Sequence, residues 1–301
     1  MGGCVNPAAA PSLDRLEILD VLWRRDPTTG TREPVHTADA AARLRASGQA
    51  RGARFIESLP QTGGVLDQDA LDRVFLGVHY ELARLSEYLQ VPQRMAAGIA
   101  PLIAAVRERE GPGPVHVIDV GCGIGLDVRW MASAKIHGPD VEYVGVDLNG
   151  LLIEAATRLA AIELVSATFV VGDAFEAVAT IAHPDRTVLI SQGLLHHVGA
   201  DRLTEFFSRH HESGLAAFAH FDVNPGFWST LGGWVLHRVR MREPVSRHDG
   251  NLSLRRALDA PALLAHARAG VGDFYSLECA DVAAWLPAPH RALRPIVGVR
   301  R

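Results

Sequence analysis

Three aspartates stand where short apolar runs end, and their surroundings suit ligand chemistry. Asp119 lies two residues before the turn Gly121-Cys122-Gly123-Ile124-Gly125. Glycines there let the backbone approach a ligand where any Cβ would collide with it, and a helix that follows offers unpaired amides and a partial positive charge. A dinucleotide pyrophosphate would use such a turn. Its fingerprint, however, places a third glycine at position 126, which is Leu126 here, and the Asp119 carboxylate would repel phosphate. A cation such as an amino group suits Asp119 better. Asp147 follows at the end of Val141–Asp147, about twenty residues past the turn, the spacing at which a carboxylate accepts both hydroxyls of a ribose. Asn149 is placed to cap the next helix. Asp173 ends Ala167–Asp173 and could accept from an adenine amino group, with Ala174 and Phe175 beside the base.

A second set of groups follows the next two apolar runs. Arg186–Gln192 leads into Gly193-Leu194-Leu195-His196-His197, and Ala216–Asp222 ends in His220-Phe221-Asp222. A histidine titrates near neutral pH and suits general-base work. Adjacent residues on a helix point about 100° apart, so one of His196 and His197 is expected to reach a ligand and the other to pack or cap. His220 and Asp222 fall on one strand face. With His197 they supply metal-ligand types, but no recognised ligand motif supports a site, and no metal is expected.

The elements needed to hold these residues are legible after the punctuation Gly111-Pro112-Gly113-Pro114. Strand runs at Val115–Val120, Val141–Asp147, Ala167–Asp173, Arg186–Gln192 and Ala216–Asp222 alternate with helical stretches near 126–135, 150–163, 174–182 and 199–211. That alternation predicts parallel strands joined by crossover helices, with helices on both faces of the sheet. Phe274–Ala280 and Arg294–Arg301 would add an antiparallel edge hairpin, making a mostly parallel sheet of seven strands. Residues 12–110 read as helical. The clearest helix is Asp69–Gln90, with Leu71, Val74, Phe75, Val78, Leu82, Leu85 and Leu89 on one face and Asp67 as its cap. The predicted organisation is an N-terminal helical region, 1–110, and an α/β domain, 111–301, in which 223–268 form a substrate lid.

The three strand ends, in this order and spacing, resemble the class I S-adenosylmethionine-dependent methyltransferases, with a Rossmann-like fold, over residues 115–222. The resemblance implies S-adenosylmethionine as cofactor. Asp119, Gly121, Cys122, Gly123 and Gly125 would surround its methionine part, Asp147 and Leu148 its ribose, and Asp173 and Ala174 its adenine. Gln192, at the tip of the fourth of these strands, would complete the contacts. His197 resembles the histidine that quinone-pathway methyltransferases carry after that strand, which makes it, with Asp222, the choice for the catalytic site. The tip lacks the Asp or Asn, paired prolines and aromatic of nucleic-acid amino-methyltransferases, and no Pro-Cys pair supplies a pyrimidine C5 nucleophile. A small-molecule acceptor is expected, most readily an aromatic or polyketide-like hydroxyl.

Bulk properties agree. A net charge of −4 over 301 residues gives no bulk argument for nucleic-acid binding, and no apolar run is long enough for a bilayer. Cys4, Cys122 and Cys279 lack the spacing of a disulfide framework or zinc site, which favours a reducing cytoplasm. Met1-Gly2-Gly3-Cys4 is expected to be a frayed tail, not a lipidation signal. An Arg- and Ala-rich, Lys-poor composition suggests a GC-rich bacterial source and makes secondary metabolism plausible. The rival readings are an RNA or protein methyltransferase docking through Arg238–Arg256, a non-catalytic cofactor-binding domain, and an NAD-dependent oxidoreductase, which Leu126 and Asp119 disfavour.

Overall fold

A computed structural model describes residues 16–26, 31–225, 227–279 and 293–301, with side chains left out at 227–233. The N-terminal Met1–Cys4 reading and the Ala280 end of the hairpin fall outside these residues. The chain divides into two compact units, one of residues 1–81 and 233–256, the other of 82–232 and 257–301.

The first unit contains helices α1 (Ile18–Leu22), α2 (Thr37–Ala46) and α3 (Ala50–Ser58), and the start of α4 (Gln68–Tyr88). Asp67 caps α4 as its position predicts, its Oδ1 accepting from the Ala70 amide at 2.9 Å. Leu71, Phe75 and Val78 of the apolar face are buried, whereas Leu82 is exposed. Between α3 and α4 lies a two-stranded hairpin, β1 (Gln61–Thr62) and β2 (Val65–Leu66), in a stretch that reads as helical from sequence. Gly63 and Gly64 both take positive φ, 61° and 81°, the backbone a two-residue hairpin loop needs. The unit also takes in α12 (Pro244–Arg256), because Asp249 accepts from the Ile18 and Leu19 amides at 2.9 and 3.1 Å and Arg256 pairs with Glu17 and Asp20. Part of the stretch expected to be a lid thus closes the N-terminus of α1.

The second unit is the α/β body. Its seven-stranded sheet contains β3 (Val115–Val120), β4 (Val141–Asp147), β5 (Thr168–Val171), β6 (Thr187–Gln192), β7 (Ala217–Val223), β8 (Tyr275–Glu278) and β9 (Leu293–Arg300). The spatial order is β5-β4-β3-β6-β7-β9-β8. The first five run parallel, and β9 pairs antiparallel with both β7 and β8. This is the mostly parallel, seven-stranded Rossmann-like sheet the sequence predicts. Strand order reverses between β3 and β6, so a crevice opens at their C-terminal ends, the place where open α/β sheets bind ligands.

Side chains alternate across the sheet. Val117, Val188, Ile190, Ala217 and Phe221 join a core with Met95, Ile99 and Ile103 of α5 (Val91–Glu110). Val120, Leu189, Phe218 and Ile296 join the other with Phe206 and Phe207 of α10 (Ala200–Glu212) and Leu263 of α13 (Ala260–Val271). Burial on both faces explains why the parallel strands read as continuous apolar runs. It also groups α5 with the sheet: Gly111–Pro114 is a turn within the second unit, and the division falls inside α4. No helix among the described residues is long and apolar enough to cross a membrane.

Candidate active site

The glycine turn is locked to the neighbouring strand. After β3, the Gly121 and Cys122 amides donate to the Val146 carbonyl at 2.7 and 3.1 Å. The Gly123 amide donates to Asp147 Oδ2 and the Asn149 amide to Asp147 Oδ1, both at 2.8 Å, so one carboxylate ties the turn to the tip of β4. Asn149 in turn caps α7 (Gly150–Glu163), accepting from Leu151 at 3.1 Å. Gly121, Gly123 and Gly125 all adopt positive φ, 75°, 55° and 70°. A Cβ on Gly125 would also stand 2.3 Å from Cε1 of Phe169. The turn therefore needs glycine for conformation and for packing, and it delivers the chain into α6 (Leu126–Ala134).

Two carboxyls beside this turn each keep an oxygen without a hydrogen-bond partner among the described residues. Asp119 is 1% exposed and Asp127, in the first turn of α6, is 6% exposed. Oδ1 of each has no hydrogen-bond partner among the described residues. Burial pushes the Asp119 carboxyl well above the usual carboxylate range, with the charges of Asp127 and Asp147 adding to the rise. Burial likewise lifts Asp127 to about 7, against the opposing pull of Arg129. Leaving a buried carboxylate unpaired costs on the order of several kcal/mol, a cost that a bound cation removes. Burial, then the charges of Asp119 and Asp147, also raise the Cys122 thiol.

Asp173 follows β5 at the same edge; the Gly172 amide donates to the Asp147 carbonyl at 3.0 Å. Its Oδ1 caps α8 (Ala174–Ala179), accepting from Phe175 at 2.8 Å and Glu176 at 3.4 Å. Gln192 ends β6 across the crevice, and the Leu194 side chain lies where a Cβ on Gly121 would meet it at 3.0 Å. Leu148 and Ala174 are partly buried beside their respective aspartates.

The tips of β6 and β7 are joined by a histidine and an acid. The Gly193 amide donates to the Phe221 carbonyl at 2.8 Å, and α9 (Leu195–Val198) follows at once. His196 Nδ1 lies 2.8 Å from Asp222 Oδ1, and its amide donates to Oδ2 at 2.9 Å. The Val223 amide donates to Oδ1 at 2.6 Å. Both side chains are buried. His197, the residue chosen from sequence, is exposed, its ring 4.2 Å from that of His196. His220 faces inward instead: its Nδ1 is 2.9 Å from Ser191 Oγ and its Nε2 is 2.8 Å from His210 Nε2. It is thus engaged in the core, apart from the His196–Asp222 pair. A small cleft opens on that pair, lined also by Leu195, Val223, Asn224, Leu258 and Leu263.

The sequence reading therefore finds its glycine turn, Asp119 and Asp147 assembled at one place. It gave no role to Asp127, although a carboxylate in the first turn after the glycines was the available signal. It also ranked His196 below His197, since sequence alone does not show which of two adjacent rings meets Asp222.

Comparison with known proteins bears on the same residues. Residues 117–213 match the family model described as a methyltransferase domain. The plantazolicin methyltransferase BpumL, solved with a triazolic desmethylPZN analog and SAH, is similar in structure, with 12% identity and a TM-score of 0.54 over 77% of this chain and 95% of that one. Magnesium protoporphyrin IX methyltransferase (ChlM) from Synechocystis PCC 6803, with bound SAH, aligns over 88% of this chain and 99% of its own, at 16% identity and a TM-score of 0.45. The bifunctional kinase-methyltransferase WbdD aligns over 70% of this chain, which spans only 39% of that protein, at 19% identity and a TM-score of 0.43. No curated protein matches by sequence.

Proposed function

We propose that this chain, whose residues 117–213 match a methyltransferase-domain family model, is a class I S-adenosylmethionine-dependent methyltransferase that methylates an oxygen of a small-molecule acceptor at the tips of β6 and β7. The buried Asp119 and Asp127 carboxyls, each with an oxygen lacking a hydrogen-bond partner among the described residues, are the observation that carries the cofactor side of this reading, because S-adenosylmethionine is a cation with an ammonium group. The donor set fits it. Asp119, with Asp127 reinforcing its field, meets the ammonium; Gly121, Cys122, Gly123 and Gly125 give the close backbone approach. Asp147, at the tip of β4, meets the ribose hydroxyls, and Leu148, Asp173, Ala174 and Gln192 border the remainder.

When bound, the cofactor supplies an electrophilic methyl on a sulfonium, which transfers to an oxygen nucleophile while the bonding pair stays on sulfur. What the protein adds is position, dryness and a base. Asp222 fixes His196 by taking the Nδ1 hydrogen, which leaves the basic lone pair of the neutral ring on Nε2. His196 accepts the acceptor's hydroxyl proton there, and Asp222 stabilises the imidazolium that forms. The apolar walls of the cleft support a small aromatic or polyketide-like hydroxyl as acceptor.

The test is release of S-adenosylhomocysteine with a panel of phenols and aliphatic alcohols. His196→Gln and Asp222→Asn are expected to lower kcat about 10²- to 10⁴-fold with cofactor affinity unchanged, the range for a lost general base. His197→Ala is expected to stay within severalfold of wild type. The reverse ranking would move the base to His197.

A further inference from the structure

One cation in the cleft, Arg294, has no ion pair among the described residues. Arg294 stands on β9 directly opposite Asp222 of β7, a register in which an ion pair would be routine. The pair does not form, because Asp222 is already committed to three donors: the His196 ring, the His196 amide and the Val223 amide. Arg294 Nε is buried without a hydrogen-bond partner among the described residues. An arginine carries its charge at any working pH and presents five donors in a planar fork; a buried Nε left without a partner is a donor that an anion entering the cleft can meet.

The surroundings narrow the class of that anion. Arg294 lines the same cleft as His196 and Asp222, whose lining also includes the apolar Leu195, Val223, Leu258 and Leu263 beside Asn224. A single fork set in an apolar cleft matches one planar monoanion on an apolar body. Cys279 shares the cleft: burial raises its thiol pKa and the Arg294 charge draws it back, so both groups sense one space.

We propose that the acceptor carries a carboxylate, held by Arg294, on an apolar body lying along Leu258 and Leu263, with its reacting hydroxyl at His196. This rests on the reading of the cleft as the acceptor site. It makes the preferred substrates hydroxy acids, and it gives Arg294 the role of selecting them.

The experiment separates the two ideas by using probes that need no methyl transfer. Full-length protein saturated with S-adenosylhomocysteine is titrated calorimetrically with decanoate and with decanamide. Wild type is expected to bind decanoate at least tenfold more tightly. Arg294→Gln is expected to abolish that preference, and Arg294→Lys to keep part of it, both with S-adenosylhomocysteine affinity unchanged. In wild type alone, decanoate is expected to slow alkylation of Cys279 by iodoacetamide severalfold, a readout independent of how the variants fold. Equal affinity for the two probes, or a preference that survives Arg294→Gln, overturns the assignment. Loss of S-adenosylhomocysteine binding in wild type would instead strike at the methyltransferase reading itself.

Discussion

Asp119 and Asp127 trade stability against binding, and the trade can be measured one residue at a time. Each carboxyl is buried with an oxygen that no described residue satisfies. Asp119→Asn removes charge from a site that penalises it, so the variant is expected to match or exceed wild type in urea denaturation while binding S-adenosylmethionine at least ten times more weakly. Loss of both stability and affinity would mean that Asp119 is structural. The burial of Asp127 depends on how α6 leaves the glycines, and spacing alone does not fix that. The His196–Asp222 bond was hidden for a similar reason: α9 is a single turn, and the phase of its rings depends on Gly193 and Leu194.

At the scale of elements, most of the body was readable because its strands are apolar on both faces and its turns are marked by glycine, proline and Asx caps. Val141–Asp147 and Gly150–Glu163 coincide with the predicted β4 and α7, and Asn149 caps as expected. The β1–β2 hairpin escaped because each strand is two residues long, too short for alternation to register. The association of α12 with α1 escaped because it rests on single polar contacts, Asp249 to two amides and Arg256 to Glu17 and Asp20, across more than two hundred residues of sequence. Gly125 belongs to this scale as well. Gly125→Ala places a methyl against the Phe169 ring at a positive φ and is expected to cost about 1–3 kcal/mol in urea denaturation, with loss of cofactor binding. A variant as stable as wild type would show that β5 yields to the turn.

For the molecule as a whole, buried titratable groups set opposing pH dependences. Burial lowers His210 to about 4 and holds His220 well below the ordinary imidazole range, with His210 adding to the effect. Both rings stay neutral in the fold while the unfolded chain protonates near pH 6.5. Their contribution is full above that value and falls as pH drops toward 4, by about 1.4 kcal/mol per pH unit for each ring. Asp119 and Asp127 act the other way, since carboxyls raised in the fold favour it as pH falls. The histidine side is isolated by NMR: His210 and His220 ring signals are expected not to titrate between pH 7 and 5. Titration of either buried ring in that window would contradict the Ser191–His220–His210 chain. The carboxylate side is isolated by the ligand, because a cation bound beside Asp119 and Asp127 lowers their pKa values and expels a proton. The most direct measurement is therefore calorimetry with S-adenosylmethionine near pH 7 in phosphate and in Tris. One-site binding with net proton release, weakening as pH falls below 7, is the expected result. A folded protein that gives no heat, or binds without releasing a proton, would contradict the assignment of this glycine turn and its buried acids to a cationic sulfonium nucleoside.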